Sequence, residues 1–146
     1  MKNQFFITLF HGVLVFVFLY SALSKLLDFG YFKAELDKSP FLERWTVVLD
    51  YLIPLSEIIV VIMLLVKSTR TLALYLYLYM MSSFCFYVYL MMTKAHYLPC
   101  ACMGLFGKWL SWEAHLLVNV FLLVLTILVI LLNNKDSARA AHAATG

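Results

Sequence analysis

Residues 46–92 of the chain read TVVLDYLIPLSEIIVVIMLLVKSTRTLALYLYLYMMSSFCFYVYLMM, two long apolar runs separated by only four residues, 67–70. Each run has the roughly 20 apolar residues with which an α-helix crosses about 30 Å of hydrocarbon. Because the connection is so short, the two helices must lie side by side and antiparallel. The stretch therefore predicts a transmembrane helical hairpin.

Similar apolar runs precede and follow this hairpin. The first ends in polar and acidic residues and lacks the small-residue exit of a cleaved signal peptide, so we interpret it as a retained helix. The sequence thus predicts an all-α polytopic membrane protein, an antiparallel four-transmembrane-helix bundle with the lipid bilayer as its partner. The predicted helices are at about 5–27, 46–66, 71–92 and 113–132.

The composition of the chain argues against an ordinary soluble domain. Of the 146 residues, 64% are hydrophobic and 13% are charged, whereas soluble domains are roughly half apolar. The net charge of +3 is small and its cations are scattered, so no nucleic-acid partner is expected. We assign residues 1–132 to one transmembrane domain and expect residues 133–146 to form a polar, disordered tail.

Lysine and arginine, which are enriched in cytoplasmic loops, are nearly balanced between the two sides of the bundle. Five of them are cytoplasmic and six are external if the N-terminus lies inside. The dense pair Lys67 and Arg70 favours that orientation, because acidic residues dilute the cations of the first loop. We expect both termini in the cytoplasm, with the third loop outside.

The third loop, at residues 93–112, carries the most distinctive chemistry of the chain. Cys100 and Cys102 are one residue apart, so a disulfide between them would close a very small, strained and therefore oxidising ring. Pro99 stiffens the entry to the pair, and Gly104 gives its exit conformational freedom. These features favour a thiol pair that cycles between dithiol and disulfide.

Two other interpretations of the cysteines remain open. His96 and His115 flank the pair, so two thiolates and two imidazoles could bind a soft or borderline metal ion, although the spacing matches no familiar zinc signature. We therefore assign no metal ligands. Alternatively, the cysteines close a structural loop in a non-enzymatic scaffold or a subunit of a larger membrane complex. Either histidine also fits a hydrogen-bonded residue at the membrane interface.

Ionisable residues at bilayer depth are costly, so they usually pair, face the interior or mark a functional path. Asp50 and Glu57 are two helical turns apart and share one face of the second span. Lys25, at the end of the first span, has a depth similar to that of Asp50, so we expect an ion pair between them. Glu57 is a candidate proton acceptor or donor, and Pro54 could open a polar pocket beside it.

The start of the fourth span carries three further polar residues. Glu113 lies in the first turn, where an acid complements the helix dipole, and Ser111 is positioned to cap the helix. Asn119 fits a polar contact between helices. Glu113 and His115 are also candidates to support chemistry in the adjacent cysteine loop.

Three motifs resemble those of known membrane proteins. Residues 21–28, SALSKLLD, and 54–57, PLSE, resemble the end of the first helix and the second-helix Pro-x-x-Glu motif of DoxX-like proteins. Residues 100–104, CACMG, are similar to the Cys-x-Cys-Phe-Gly loop of the methylamine utilisation protein MauE family, with Met103 in place of the usual phenylalanine. The resemblance extends over about residues 5–132.

The resemblance implies a membrane redox protein that supports disulfide formation or redox maturation of exported proteins through a periplasmic cysteine loop. Its partner would be a periplasmic thioredoxin-like protein or an exported substrate. Cys100 and Cys102 would exchange the electrons, and His96 is the nearest group that could stabilise the attacking thiolate. A quinone is a candidate acceptor, but four-helix proteins of the quinone-linked type commonly use two cysteine pairs, and one clear pair is present here.

Overall fold

The computed structural model describes residues 2–38, 44–94 and 111–144. Within these ranges the chain forms five α-helices: α1 (Lys2–Leu27), α2 (Phe29–Asp37), α3 (Thr46–Leu65), α4 (Arg70–Lys94) and α5 (Trp112–Ala144). Four segments in them are long and apolar enough to cross a membrane, namely Phe5–Leu27, Thr46–Leu65, Arg70–Lys94 and Glu113–Lys135. The prediction of an all-α polytopic membrane protein with four spans is confirmed.

The four spanning helices pack mainly in the cyclic order α1, α3, α4, α5, so each contacts the helix before and after it. The predicted hairpin of α3 and α4 is held together at its turn. Thr69 Oγ1 donates to the carbonyl of Met63 at 2.9 Å, and Arg70 Nε donates to that of Leu64 at 3.2 Å. These side chains satisfy carbonyls that the end of α3 would otherwise leave without a helical partner.

The outer surface of the bundle is apolar. Phe16, Val47, Tyr79 and Leu117, one from each spanning helix, are all at least 68% exposed. In water so much exposed apolar surface would cause aggregation, whereas lipid tails solvate it without penalty. These side chains therefore face the bilayer.

The half of the interior nearest the α3–α4 turn is an apolar core. At its centre the rings of Phe18 and Tyr77 stack with their centroids 3.9 Å apart. The other buried members of the core are Leu14, Val60, Val61, Leu64, Ala73, Leu74, Met81, Leu122, Leu125, Val129 and Ile130.

The other half of the interior, toward the end where α4 finishes and α5 begins, is rich in polar side chains. We call this region the polar half; its buried polar members on the spanning helices are Ser21, Ser24, Lys25, Thr46, Asp50, Glu57, His115 and Asn119. Two other buried polar residues, His11 and Thr126, lie in the apolar half, where each hydrogen-bonds a carbonyl of its own helix. Buried polarity is thus concentrated at the end of the bundle from which the cysteine loop emerges.

The short helix α2 was not predicted, because its nine residues carry mixed charges and lie between two predicted spans, where a loop is expected. Phe32 and Leu36 of α2 are buried and pack against Leu49 and Ile53 of α3. The spacing of four between these two apolar residues gives α2 one apolar face. This face rests on the start of α3.

Helix α5 continues to Ala144, beyond the span that the sequence predicts to end at Leu132. This differs from the disordered tail expected for residues 133–146. Residues 138–144 read ARAAHAA, and alanine and arginine have high helix propensity. The polar segment can therefore extend a helix that the membrane span has already nucleated.

We expect the hydroxyl of Tyr77 to contribute nothing to stability, because it is buried and has no hydrogen-bond partner in the described part of the chain. Tyr77→Phe should unfold at the same temperature as the wild type or a higher one. Tyr77→Ala should lose about 3 kcal/mol or more, since it removes the ring stacked on Phe18. Circular dichroism melting in detergent micelles measures both. A loss above about 1 kcal/mol in Tyr77→Phe would contradict this account.

Candidate functional site

An ion pair between Lys25 of α1 and Glu57 of α3 lies inside the polar half. The Lys25 Nζ is 2.7 Å from Oε1 and 3.0 Å from Oε2 of Glu57, so the ammonium group bonds both carboxylate oxygens. The two side chains are only 1% and 0% exposed. An isolated charge here would cost several kcal/mol, so each ion is tolerated because of the other.

Ser21 completes a hydrogen-bonded triad with this pair. It precedes Lys25 by one helical turn, which places both side chains on the same face of α1. Its hydroxyl accepts a hydrogen bond from the Lys25 ammonium and donates one to Glu57 Oε1 at 3.1 Å. The serine therefore fixes the direction of both charged groups.

The prediction that Lys25 pairs with Asp50 is wrong. Helical side chains point toward the N-terminus of their own helix, so Lys25 reaches back from the end of α1 into the bundle. There it meets Glu57, which lies two turns deeper than Asp50 along α3. Asp50 is itself buried, and its Oδ1 has no hydrogen-bond partner among the described residues. Charged side chains of α2, those of Lys33 and Asp37, act on it electrostatically.

Helix α2 covers the triad from the end of the bundle. The Lys25 ammonium lies 6.0 Å from the centroid of the Phe32 ring, close to the limit for a cation–π contact. Phe32 is only 3% exposed. The ring therefore shields the lysine from the membrane surface.

His115 and Asn119, one turn apart on α5, bring two more polar side chains into the polar half, and both are buried. The charge of Lys25 acts electrostatically on His115. The amide nitrogen of Asn119 has no hydrogen-bond partner among the described residues, so the predicted interhelical contact is not made through this nitrogen.

The start of α5 matches its prediction. The Ser111 hydroxyl accepts a hydrogen bond from the backbone N–H of Ala114 at 3.3 Å, so the predicted cap is confirmed. Glu113 lies in the first turn and is exposed, where its charge complements the helix dipole.

A cavity of about 30 Å³ lies beside Glu57. Ser21 and Asn119 also line it, together with apolar side chains that include Met81. A space of this size, with polar groups of Glu57, Ser21 and Asn119 in an otherwise apolar lining, can hold one or two water molecules, but it does not admit a quinone ring. Pro54, which could have opened such a pocket, is not among the lining residues.

The remaining predicted site residues, Cys100, Cys102 and His96, lie outside the described residues. The loop that carries them joins α4 to α5 at the polar end of the bundle. Among the residues that the structure describes, no cluster of three or more His, Cys, Asp or Glu side chains could hold a metal ion. Cys85, in α4, is half-buried and is a free thiol.

The sequence profile of the methylamine utilisation protein MauE matches residues 3–132, which is most of the chain and includes the first three spans and all but the last three residues of the fourth. The chain belongs to the MauE family. The resemblance to MauE that its motifs indicate is thereby confirmed, while the likeness to DoxX-like proteins stays a prediction. Neither a characterised protein nor a solved structure gives a match.

Sequence reasoning on this MauE family member found the two charged residues of the triad but not how they are connected. The hydrogen bonds of Ser21 were not predicted, although its spacing of four from Lys25 indicates that the two side chains share one face of the helix. The position of Phe32 next to Lys25 was not predicted, because α2 itself was not predicted. The burial of Tyr77 was missed too, because it lies in a run of tyrosines that also includes the exposed Tyr79.

We expect strong coupling between Lys25 and Glu57 in a double-mutant cycle. Lys25→Met or Glu57→Gln alone leaves an unpaired buried charge, which should cost about 3–5 kcal/mol of unfolding free energy. The double variant removes both charges and should be more stable than either single variant. Reversible unfolding in mixed detergent micelles provides the four free energies.

The ion pair of Lys38 and Glu35 is the control for this cycle. Its Nζ–Oε1 distance of 2.8 Å is close to the 2.7 Å of the Lys25–Glu57 pair, but Lys38 is 46% exposed. Lys38→Met should change the unfolding free energy by less than about 1 kcal/mol. If the effects of the two single variants at Lys25 and Glu57 simply add, the pair is not coupled and our account of the triad is wrong.

Proposed function

We propose that this MauE family protein is a membrane thiol–disulfide redox protein in which Cys100 and Cys102 exchange electrons with an exported thioredoxin-like protein or substrate. The observation that carries the proposal is the buried Lys25–Glu57 pair in the polar half, at the end where the cysteine loop joins α4 and α5. Ionisable groups at this depth commonly mark functional paths. Thiol oxidation releases protons together with the electrons, and a buried acid–base group at the same end of the bundle can take part in their transfer.

The reaction is a pair of thiol–disulfide exchanges. A thiolate of the cysteine pair attacks a disulfide of the partner, forming a mixed disulfide and expelling one partner sulfur as a thiolate. The second cysteine then attacks the first, closing the disulfide of this chain and releasing the other partner sulfur. The chain loses two electrons and two protons, and the partner gains both as a dithiol. The same steps in reverse oxidise the partner, so relative reduction potentials set the direction.

The other residues have supporting roles in this proposal. His96, close in sequence to the cysteines, stabilises the attacking thiolate. Glu57 accepts or donates the proton that accompanies thiol chemistry, and Lys25 holds its carboxylate in place. Asp50, Glu113 and His115 supply further polarity at the same end of the bundle. A quinone, if it is the final acceptor, binds outside the cavity beside Glu57.

The proposal includes an orientation. Both termini lie in the cytoplasm of a bacterial inner membrane, and the cysteine loop faces the periplasm. Supporting it are Lys67 and Arg70 at the turn between α3 and α4, at the opposite end of the bundle from the cysteine loop. A periplasmic loop also matches the oxidising compartment in which disulfides persist.

Thiol labelling tests the cysteine pair and its side of the membrane. We use a Cys85→Ala background, so that only two thiols remain, and a membrane-impermeant maleimide on vesicles with the periplasmic face outside. The oxidised protein should take up no label, and the dithiothreitol-reduced protein should take up two. Reduced protein treated with oxidised glutathione should lose both labelling sites again. Mass spectrometry counts the labels.

Serine variants provide the control for this labelling. Cys100→Ser and Cys102→Ser should each take up one label in the reduced state and should not form the internal disulfide. If the wild type takes up two labels before and after glutathione treatment, the redox proposal fails. If the serine variants also fail to assemble, the cysteines act in a structural scaffold. Label that enters only from the other vesicle face would overturn the orientation.

Kinetics test the proton role of Glu57. We compare the rate at which oxidised glutathione closes the Cys100–Cys102 disulfide in the wild type and in Lys25→Met/Glu57→Gln, which lacks both buried charges. A lost acid–base group should slow the reaction on the order of a hundredfold or more. Glu35→Gln, a change of an acid on α2, is the control and should react at the wild-type rate. Equal rates in all three proteins would remove Glu57 from the mechanism.

A further inference from the structure

The cavity beside Glu57 has an unsatisfied donor on one wall. Asn119 lines the cavity, is 5% exposed, and its Nδ2 has no hydrogen-bond partner within the described ranges. Leaving a buried amide N–H unsatisfied costs about 1–3 kcal/mol. Its position beside a cavity indicates that the partner of this nitrogen lies in the cavity itself.

Acceptors also line this cavity. Among the described residues, Glu57 Oε2 accepts one hydrogen bond, from Lys25, and a carboxylate oxygen can accept two. The Ser21 hydroxyl is a third polar group in the lining. A buried water needs two to four polar partners and about 10–15 Å³ of space. The cavity of about 30 Å³ meets both requirements.

We propose that water occupies this cavity, accepts a hydrogen bond from Asn119 Nδ2 and donates one to the Glu57 carboxylate. The ion pair thereby becomes an internal proton-exchange site, and Asn119 is a positioning residue that acts through the water. A proton that the carboxylate takes up is relayed by this water, which receives one proton as it hands another on. The water itself does not depend on the proposed redox function, but the use of its proton in thiol chemistry does.

The groups around Glu57 agree with this assignment. Lys25 and Ser21 of α1 bond it directly. On α5, Asn119 adjoins the cavity, and His115 is the next buried polar side chain toward the cysteine loop. The water therefore lies at the inner end of a polar path that leads to the reactive end of the bundle.

Radiolytic labelling of the full chain in detergent micelles tests the water directly, because hydroxyl radicals formed from a bound water oxidise the side chains beside it. Met81 lines the cavity and is 2% exposed, whereas Met91 of the same helix is 0% exposed and does not line it. We expect Met81 to be oxidised several-fold faster than Met91, as measured by mass spectrometry of peptides. Equally slow oxidation of the two would overturn the proposal.

Two variants of Asn119 test its part in holding the water. Asn119→Leu removes the donor and fills the cavity, so Met81 should then be oxidised as slowly as Met91. Asn119→Ser keeps a polar group and leaves more space, so Met81 should retain its fast oxidation. Fast oxidation in a folded Asn119→Leu protein would contradict the proposal. If that variant does not fold, the comparison of the two methionines in the wild type still decides.

The outcome is separable from that of the redox proposal, because the labelling needs no thiol chemistry. Fast Met81 oxidation in a protein whose cysteines never form a disulfide would reject the redox function alone. Slow oxidation in a redox-active protein would reject the water alone.

Discussion

The architecture of this bundle depends on how a lysine and a glutamate can coexist inside a membrane. Neither ion is stable alone at that depth, so α1 and α3 must approach until Lys25 bonds both oxygens of Glu57. Ser21 then bonds both partners and fixes their geometry. The close approach of α1 and α3 at this depth follows from this constraint.

Helices α4 and α5 supply apolar side chains to one half of the interior, and α5 supplies polar side chains to the other half. Near the α3–α4 turn, α4 and α5 supply the apolar side chains that close the core, including Tyr77 against Phe18. Toward the other end, α5 presents His115 and Asn119 instead. The two halves of the interior therefore differ sharply in polarity, with the buried polar groups gathered at the end where α4 finishes and α5 begins.

Hydropathy was sufficient to predict the four spans, because each must provide about 20 apolar residues whatever its neighbours are. The helix cap at Ser111 could also be predicted from the sequence, because it depends only on the spacing of neighbouring residues. The pairing of the charges could not be predicted in this way. Two residues at equal depth on two helices need not meet, because a long side chain points away from its backbone in a direction that depth does not describe. The cavity beside Asn119 has no sequence signal, since its walls come from several helices.

Helix α2 places an aromatic ring next to the buried lysine. Phe32 lies over the Lys25 ammonium, so a molecule or proton arriving straight down from that headgroup layer meets an aromatic ring first. On α5, by contrast, the buried polar residues His115 and Asn119 lie one turn apart. The described polar side chains thus continue from Glu57 toward that end of the bundle along α5, while α2 places an aromatic ring over the lysine.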